Sequence, residues 1–187
     1  MKRVFVAVIF PAILMLSCLA TAQSGANTLN DQLIAAADKV DLPAVKQLLA
    51  SGASANAKDQ SNVPVLVYAV INSTEMVRLL LDHGADIEAR ESHGISILSF
   101  AIIKGSTETV RLLLDRGASI ENKEKNNVTP LMIAAVYGKP EVVRLLLERN
   151  ANTHAISSTG MTVLRYARAF KGDNTEVIRL LQEHGAI

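Results

Sequence analysis

Thiols and large aromatics are what this 187-residue chain has least of: Cys18 is the single cysteine, Trp is absent, and Phe, Tyr and Trp together make up 4%. Should Cys18 lie in a leader that is removed, the mature chain can form no disulfide, thiolate nucleophile or Cys metal site. With 49% hydrophobic residues the chain can bury a core, which excludes a disordered polypeptide. Leu, Ala, Val and Ile dominate that fraction and suit thin helical layers packed through aliphatic side chains. A surplus of one charge is missing too, with 19 Lys and Arg against 18 Asp and Glu, a net of +1. Removing Lys2 and Arg3 with the leader leaves 17 basic against 18 acidic residues, or −1. That balance gives no reason to expect nucleic acid or an anionic membrane, because counterion release needs a clustered basic face.

One long apolar run is present, from Val4 to Leu19, behind Lys2 and Arg3 and ahead of Ala20-Thr21-Ala22. This is the order of a secretory signal peptide, with cleavage expected after Ala22. The run is interrupted by Pro11 and falls short of the roughly 20 residues that a helix needs to cross hydrocarbon, so no membrane insertion is expected after cleavage. A periplasmic or secreted location follows. Leu16-Ser17-Cys18 offers a competing reading as a lipobox that would anchor the chain through Cys18, although Met15 stands where that pattern has Leu and Leu16 where it has a smaller residue.

Beyond a short tail at residues 23–29, the chain repeats itself. Val77 to Ala85, Val110 to Ala118, Val143 to Ala151 and Ile178 to Ala186 share the order apolar-Arg-Leu-Leu, an acid and a terminal Gly or Asn, and Val45 to Ala53 is a looser copy. Steps between Gly52, Gly84, Gly117, Asn150 and Gly185 are 32, 33, 33 and 35 residues. In phase with them, Leu66, Leu98, Leu131 and Leu164 each fall 14 residues after the preceding Gly or Asn, and Ala69, Ala101, Ala134 and Ala167 follow three later. These spacings give one apolar face to each of two helices per repeat. The terminal Gly positions need a positive φ, which Asn150 also tolerates. A repeat of this size cannot bury its own face, so its stability comes from its neighbours.

Thr129-Pro130-Leu131-Met132-Ile133-Ala134 resembles the Thr-Pro-Leu-His-x-Ala signature of ankyrin repeats, and Gly52 to Asp59 resembles the loop before it. The resemblance spans 30–187 and implies a mainly α ankyrin solenoid of five helix-turn-helix repeats with β-hairpin finger loops, at about 30–59, 60–91, 92–124, 125–157 and 158–187. The signature His is replaced by Val67, Ser99, Met132 and Arg165, so softer fingers are expected. Glu75, Glu108, Glu141 and Glu176 precede Arg78, Arg111, Arg144 and Arg179 by three, and an acid follows each Arg by four, which predicts ion pairs within the last four second helices.

Family resemblance places the binding positions at the finger tips and on the exposed side of the first helices. By phase the tips are Lys58, Gln60 and Ser61; Arg90, Ser92 and His93; Lys123, Lys125 and Asn126; and Ile156, Ser158 and Thr159. The helices add Ile71, Ile103, Lys104, Val136, Tyr137, Ala169 and Phe170, with Tyr137 and Phe170 as anchors. An apolar stripe bordered by polar fingers has the make-up of a protein-binding groove, although Ile71, Ile103 and Val136 could instead pack within the stack. The chain is therefore expected to be a monomeric, exported protein-binding module with no cofactor. An inhibitor or immunity protein against a periplasmic toxin or hydrolase is a narrower version. A hydrolase using His93 or His154 is the alternative from another class. Against it, the sequence has no Gly-x-Ser-x-Gly elbow, phosphate-binding glycine loop or His-Glu-x-x-His zinc motif.

Overall fold

A computed structural model describes residues 29–169 and 173–187. The expected leader, with Cys18 and the cleavage site after Ala22, lies outside the described residues, as does Phe170. Among the described residues, helices come in five pairs: α1 (29–38) with α2 (Leu42–Ala50), α3 (Val65–Asn72) with α4 (Thr74–Asp82), and α5 (Ile97–Lys104) with α6 (Thr107–Asp115), followed by α7 (Pro130–Val136) with α8 (Pro140–Glu148) and α9 (Val163–Arg168) with α10 (Thr175–Glu183). The first helix already includes residue 29, one position into the expected tail.

Local chemistry marks the helix starts. Ser96, Thr129 and Thr162 cap α5, α7 and α9 by accepting a bond from the backbone N–H three residues on. Asp41, Ser73 and Ser106 cap α2, α4 and α6 in the same way. Pro64 sits at the equivalent cap of α3 and supplies no side-chain bond, so the proline displaced by one residue from the signature replaces a cap and leaves the helix intact. The second helices end where φ turns positive, at Gly52, Gly84, Gly117, Asn150 and Gly185, as the sequence requires.

First helices stack on first helices and second on second, α3 on α5 on α7 on α9 and α4 on α6 on α8 on α10. The contact layer is built from the repeating positions: Ala69, Ala101, Ala134 and Ala167 are fully buried, as are Leu80, Leu113 and Leu146. Small Ala lets the helices approach, and branched side chains fill the space between layers. The outer layers break the pattern. Gln47 is exposed where Leu112, Leu145 and Leu180 are buried, and Gln182 is exposed where Leu147 is buried. Arg165 and Arg168 are likewise exposed in the last pair, at positions filled by buried Met132 and Ala135 in the pair before. Both end faces therefore carry polar side chains where internal layers carry apolar ones.

Four fingers connect the pairs. Isolated antiparallel bridges close three of them, Lys58 with Pro64, Arg90 with Ser96 and Ile156 with Thr162. The third differs: it turns through a short 3-10 segment, Lys125–Asn127, in which Asn126 and Asn127 have φ of 61° and 56°. All four share one tip bond, from the N–H of Asp59, Glu91, Glu124 or Ser157 to the carbonyl four residues on.

Candidate functional site

The absent signature histidines do not leave the fingers without side-chain support. In the first finger Asp59 Oδ1 accepts the N–H groups of Ser61 and Val63, each at 2.8 Å, and Oδ2 accepts the Tyr68 hydroxyl at 2.7 Å. Glu91 does the same in the second, accepting from the N–H of His93 at 2.8 Å and Ile95 at 3.1 Å. Glu124, one repeat later, turns back and accepts from the N–H and hydroxyl of Ser96, at 3.1 and 2.6 Å. The Val63 bond, against a smaller effect of burial and helped by Tyr68 and Ser61, holds the Asp59 carboxyl below its ordinary range. Burial pushes Glu91 up, but bonds from His93, Ile95 and Ser92 outweigh it and hold this carboxyl low as well. The bond to Asp59, together with burial, pushes the Tyr68 hydroxyl up to about 12.

A second row of bonds locks each finger to the next. Asp86 N–H donates to Asn56 Oδ1 at 2.7 Å and Ser119 N–H to Glu88 Oε1 at 2.8 Å. Asn152 N–H completes the row with a 2.8 Å bond to Glu121 Oε1. Asn56, Glu88 and Glu121 each lie four residues after a terminal Gly and clamp the backbone two residues after the following Gly or Asn. Sequence reasoning missed this row; its signal was an acceptor side chain at one phase. Arg90 adds a cross-strut, donating to Glu124 Oε2 at 2.8 Å, Asn122 Oδ1 at 2.6 Å and the carbonyls of Gly94 and Lys123. Ser158 N–H donates to Asn126 O at 2.8 Å, tying the third finger to the fourth.

The expected surface residues divide on this frame. Lys58, Gln60, Ser92, His93, Lys104, Lys123, Lys125, Asn126 and Ser158 are exposed, as are Ile156 and Ala169. Ile71 and Tyr137 stand out at 53% and 47% exposure, large apolar side chains with no covering layer among the described residues. Ile103 packs against the core instead, and Val136 is half-buried, so the stripe is interrupted between its two exposed members. Arg90 is exposed but already engaged. Lys58 and Arg90 come together at an open cleft between the first two fingers, lined also by Asn62, Pro64 and Leu66. Tyr68, Phe100 and Tyr166 are half-buried and share one helix position, two residues after Leu66, Leu98 and Leu164. The Tyr68 bond to Asp59 sets that row on the finger side, three residues before Ile71, Ile103 and Ala169. It was legible as a recurring aromatic and was passed over for residues nearer the helix ends.

Catalytic geometry was expected, if anywhere, at His93 or His154. His93 Nδ1 meets Glu91 Oε2 at 2.9 Å and Ser92 Oγ at 3.3 Å, so acid and hydroxyl crowd the same ring nitrogen. A proton relay needs them on opposite nitrogens. His154 Nδ1 meets Thr153 Oγ1 at 3.2 Å. Among the described residues, no three His, Cys, Asp or Glu side chains converge to hold a metal, and no helix is long and apolar enough to cross a membrane.

The family model for ankyrin repeats in three copies matches residues 33–124 and again 119–187. The chain belongs to the ankyrin-repeat family, a fold that points to protein–protein interaction. Among curated proteins it is similar to two cation channels of the transient receptor potential V subfamily. One is member 6 of Rattus norvegicus, 36% identical over 74 residues, covering 32% of this chain and 10% of the channel. The other is member 5 of Mus musculus, 35% identical over 74 residues with the same coverage. The chain thus spans a tenth of the length of the relatives it matches.

Proposed function

We propose that this chain is an exported module, periplasmic or secreted, that grips a protein partner through the face formed by its first helices and fingers. One observation carries the reading: Ile71 near the end of α3 and Tyr137 at the cap of α7 are exposed, and the neighbouring fingers are locked by bonds running from repeat to repeat. A rigid frame loses little entropy when it binds, and large apolar side chains rimmed by polar ones are the part of an interface that holds most of its energy. Ile71→Ala combined with Tyr137→Ala should weaken retention of the native partner by more than ~1 kcal/mol with little change in melting temperature. Unchanged retention by a folded double variant would remove this face from consideration. Export rests on the order of charges and apolar residues before Ala22 and is tested separately. Protein recovered outside the cytoplasm should begin at Gln23, whereas a cytosolic chain retaining Lys2 and Arg3 overturns that half of the proposal.

A further inference from the structure

The finger tips are mixed in sequence but not in what they present. Lys58-Asp59, Arg90-Glu91 and Lys123-Glu124 each place a base beside an acid. In every pair the acid is the one turned inward: Asp59 accepts three bonds, the Glu91 side chain is 8% exposed and the Glu124 side chain 9%. The bases stay outside, with Lys58, Lys123 and Lys125 exposed and Lys104 alongside on the helix rim. Even in the cleft between the first two fingers, Asp86, Glu88 and Glu91 each already accept N–H bonds. The second helices carry many of the remaining acids, Glu75, Asp82, Glu108, Asp115, Glu141, Glu148 and Glu183, interleaved with arginines. The exposed lysines on the finger side therefore stand outside carboxylates that are turned inward or already hydrogen-bonded, whereas acids and arginines alternate on the opposite side.

We infer that the partner offers this face an extended, acidic polypeptide segment; the inference rests on the reading of the same face as a protein-binding surface. Lysines on the first and third fingers, with Ile156 on the fourth and Ile71 and Tyr137 exposed at the ends of the first helices, match a segment of carboxylates interspersed with apolar side chains. A polyphosphate backbone needs a continuous basic track, which this row is not. Spacing makes the match specific. Packed helix layers lie about 10 Å apart and an extended chain rises about 3.3 Å per residue, so about six residues of the segment separate its contacts with the lysines of the first and third fingers.

The test selects peptides against the immobilised full chain from a displayed library of random segments about 12 residues long, enough to pass four fingers. Winners are then synthesised with a fluorophore and titrated by anisotropy. The enriched pool should be rich in Asp and Glu about six residues apart. Lys58→Glu with Lys123→Glu and Lys125→Glu should weaken its binding roughly ten-fold or more, and added salt should act in the same direction. Arg78→Glu with Arg111→Glu, on the opposite side, should leave it unchanged. Enrichment of neutral or basic peptides that still depend on Ile71 and Tyr137 overturns the acidic partner and leaves the groove standing. No enrichment, or binding indifferent to all these variants, overturns both. Tighter binding of a thymidine oligonucleotide or of phosphatidylglycerol vesicles, abolished by the same three reversals, assigns the cations to another class and also refutes the inference.

Discussion

If carboxylates do the work that the signature histidines leave undone, the Arg90–Glu124 pair is where the effect should be measurable. Glu124 is nearly enclosed, with its side chain 9% exposed, and takes a 2.8 Å bond from Arg90 besides two bonds from Ser96. Charge-assisted bonds of this kind contribute about 1.5–3 kcal/mol. Arg90 is 39% exposed, so solvent screening reduces the pairwise part to roughly 1–2 kcal/mol. The contrast is the Glu75–Arg78 pair, 3.8 Å apart with side chains 66% and 45% exposed, for which about 0.2–0.5 kcal/mol is expected. A double-mutant cycle of Arg90→Ala and Glu124→Ala, read by urea unfolding, measures the coupling directly. Glu124→Gln keeps an acceptor for Ser96 and removes only the charge. Exchange of the Ser96 amide hydrogen gives a local reading, since that N–H is covered by Glu124 and should exchange faster once the carboxylate is gone. A coupling below ~0.5 kcal/mol, no larger than that of the exposed pair, with Ser96 exchange unaltered, would refute the idea that this carboxylate staples the second finger to the third.

Further expectations follow from burial and charge. Ser99 is fully buried and its hydroxyl oxygen has no partner, so Ser99→Ala should stabilise the protein by about 1 kcal/mol, and a lowered melting temperature would contradict this. Asp59 and Glu91 are held below their ordinary values, so they support the fold fully above about pH 4 and lose that support as pH falls through their depressed folded-state values. Thermal melts should show the acid limb flattened by Asp59→Asn with Glu91→Gln, and an unchanged limb would exclude these two carboxyls as its cause. Tyr68 has the opposite sign: its contribution is complete below about pH 10 and is lost as pH rises towards about 12, which Tyr68→Phe should abolish. Arg165→Met, Arg168→Ala and Gln182→Leu together give the last layer the apolar outer side of an internal one. Light scattering should then report association, and a single-chain mass at high concentration would show that these residues do not keep the end from stacking.

Period and phase were legible in the sequence because they depend on which residues can be buried or can take a positive φ. Leu66, Leu98, Leu131 and Leu164 located the first helices, and Gly52 through Gly185 located the ends of the second. The direction in which a long polar side chain turns is set by neighbours and not by phase, and there the reading failed. Pairs expected within the last four second helices form at Arg78 with Glu75 and at Arg179 with Glu176 and Glu183. Elsewhere Arg116 reaches back to Asp82, Arg149 to Asp115, and Arg144 forward to Glu176, joining repeats in place of supporting one helix. The same limit hid the inward turn of the tip acids. The third finger escaped as well, because Asn126 and Asn127 read as polar tip residues and their paired left-handed conformation does not show in the pattern. Of the surface itself, Tyr137 and Ile71 could be found by phase, whereas the partial burial of Ile103 against the core depends on local packing.

The clamps from Asn56, Glu88 and Glu121 each reach only the adjoining repeat, across 30 or 31 residues of chain. Among these three, none braces one end of the stack against the other. A pull applied at the two termini is therefore borne by one junction after another, and the array should yield like a peeled strip, in successive small extensions, with the parts still stacked keeping their grip.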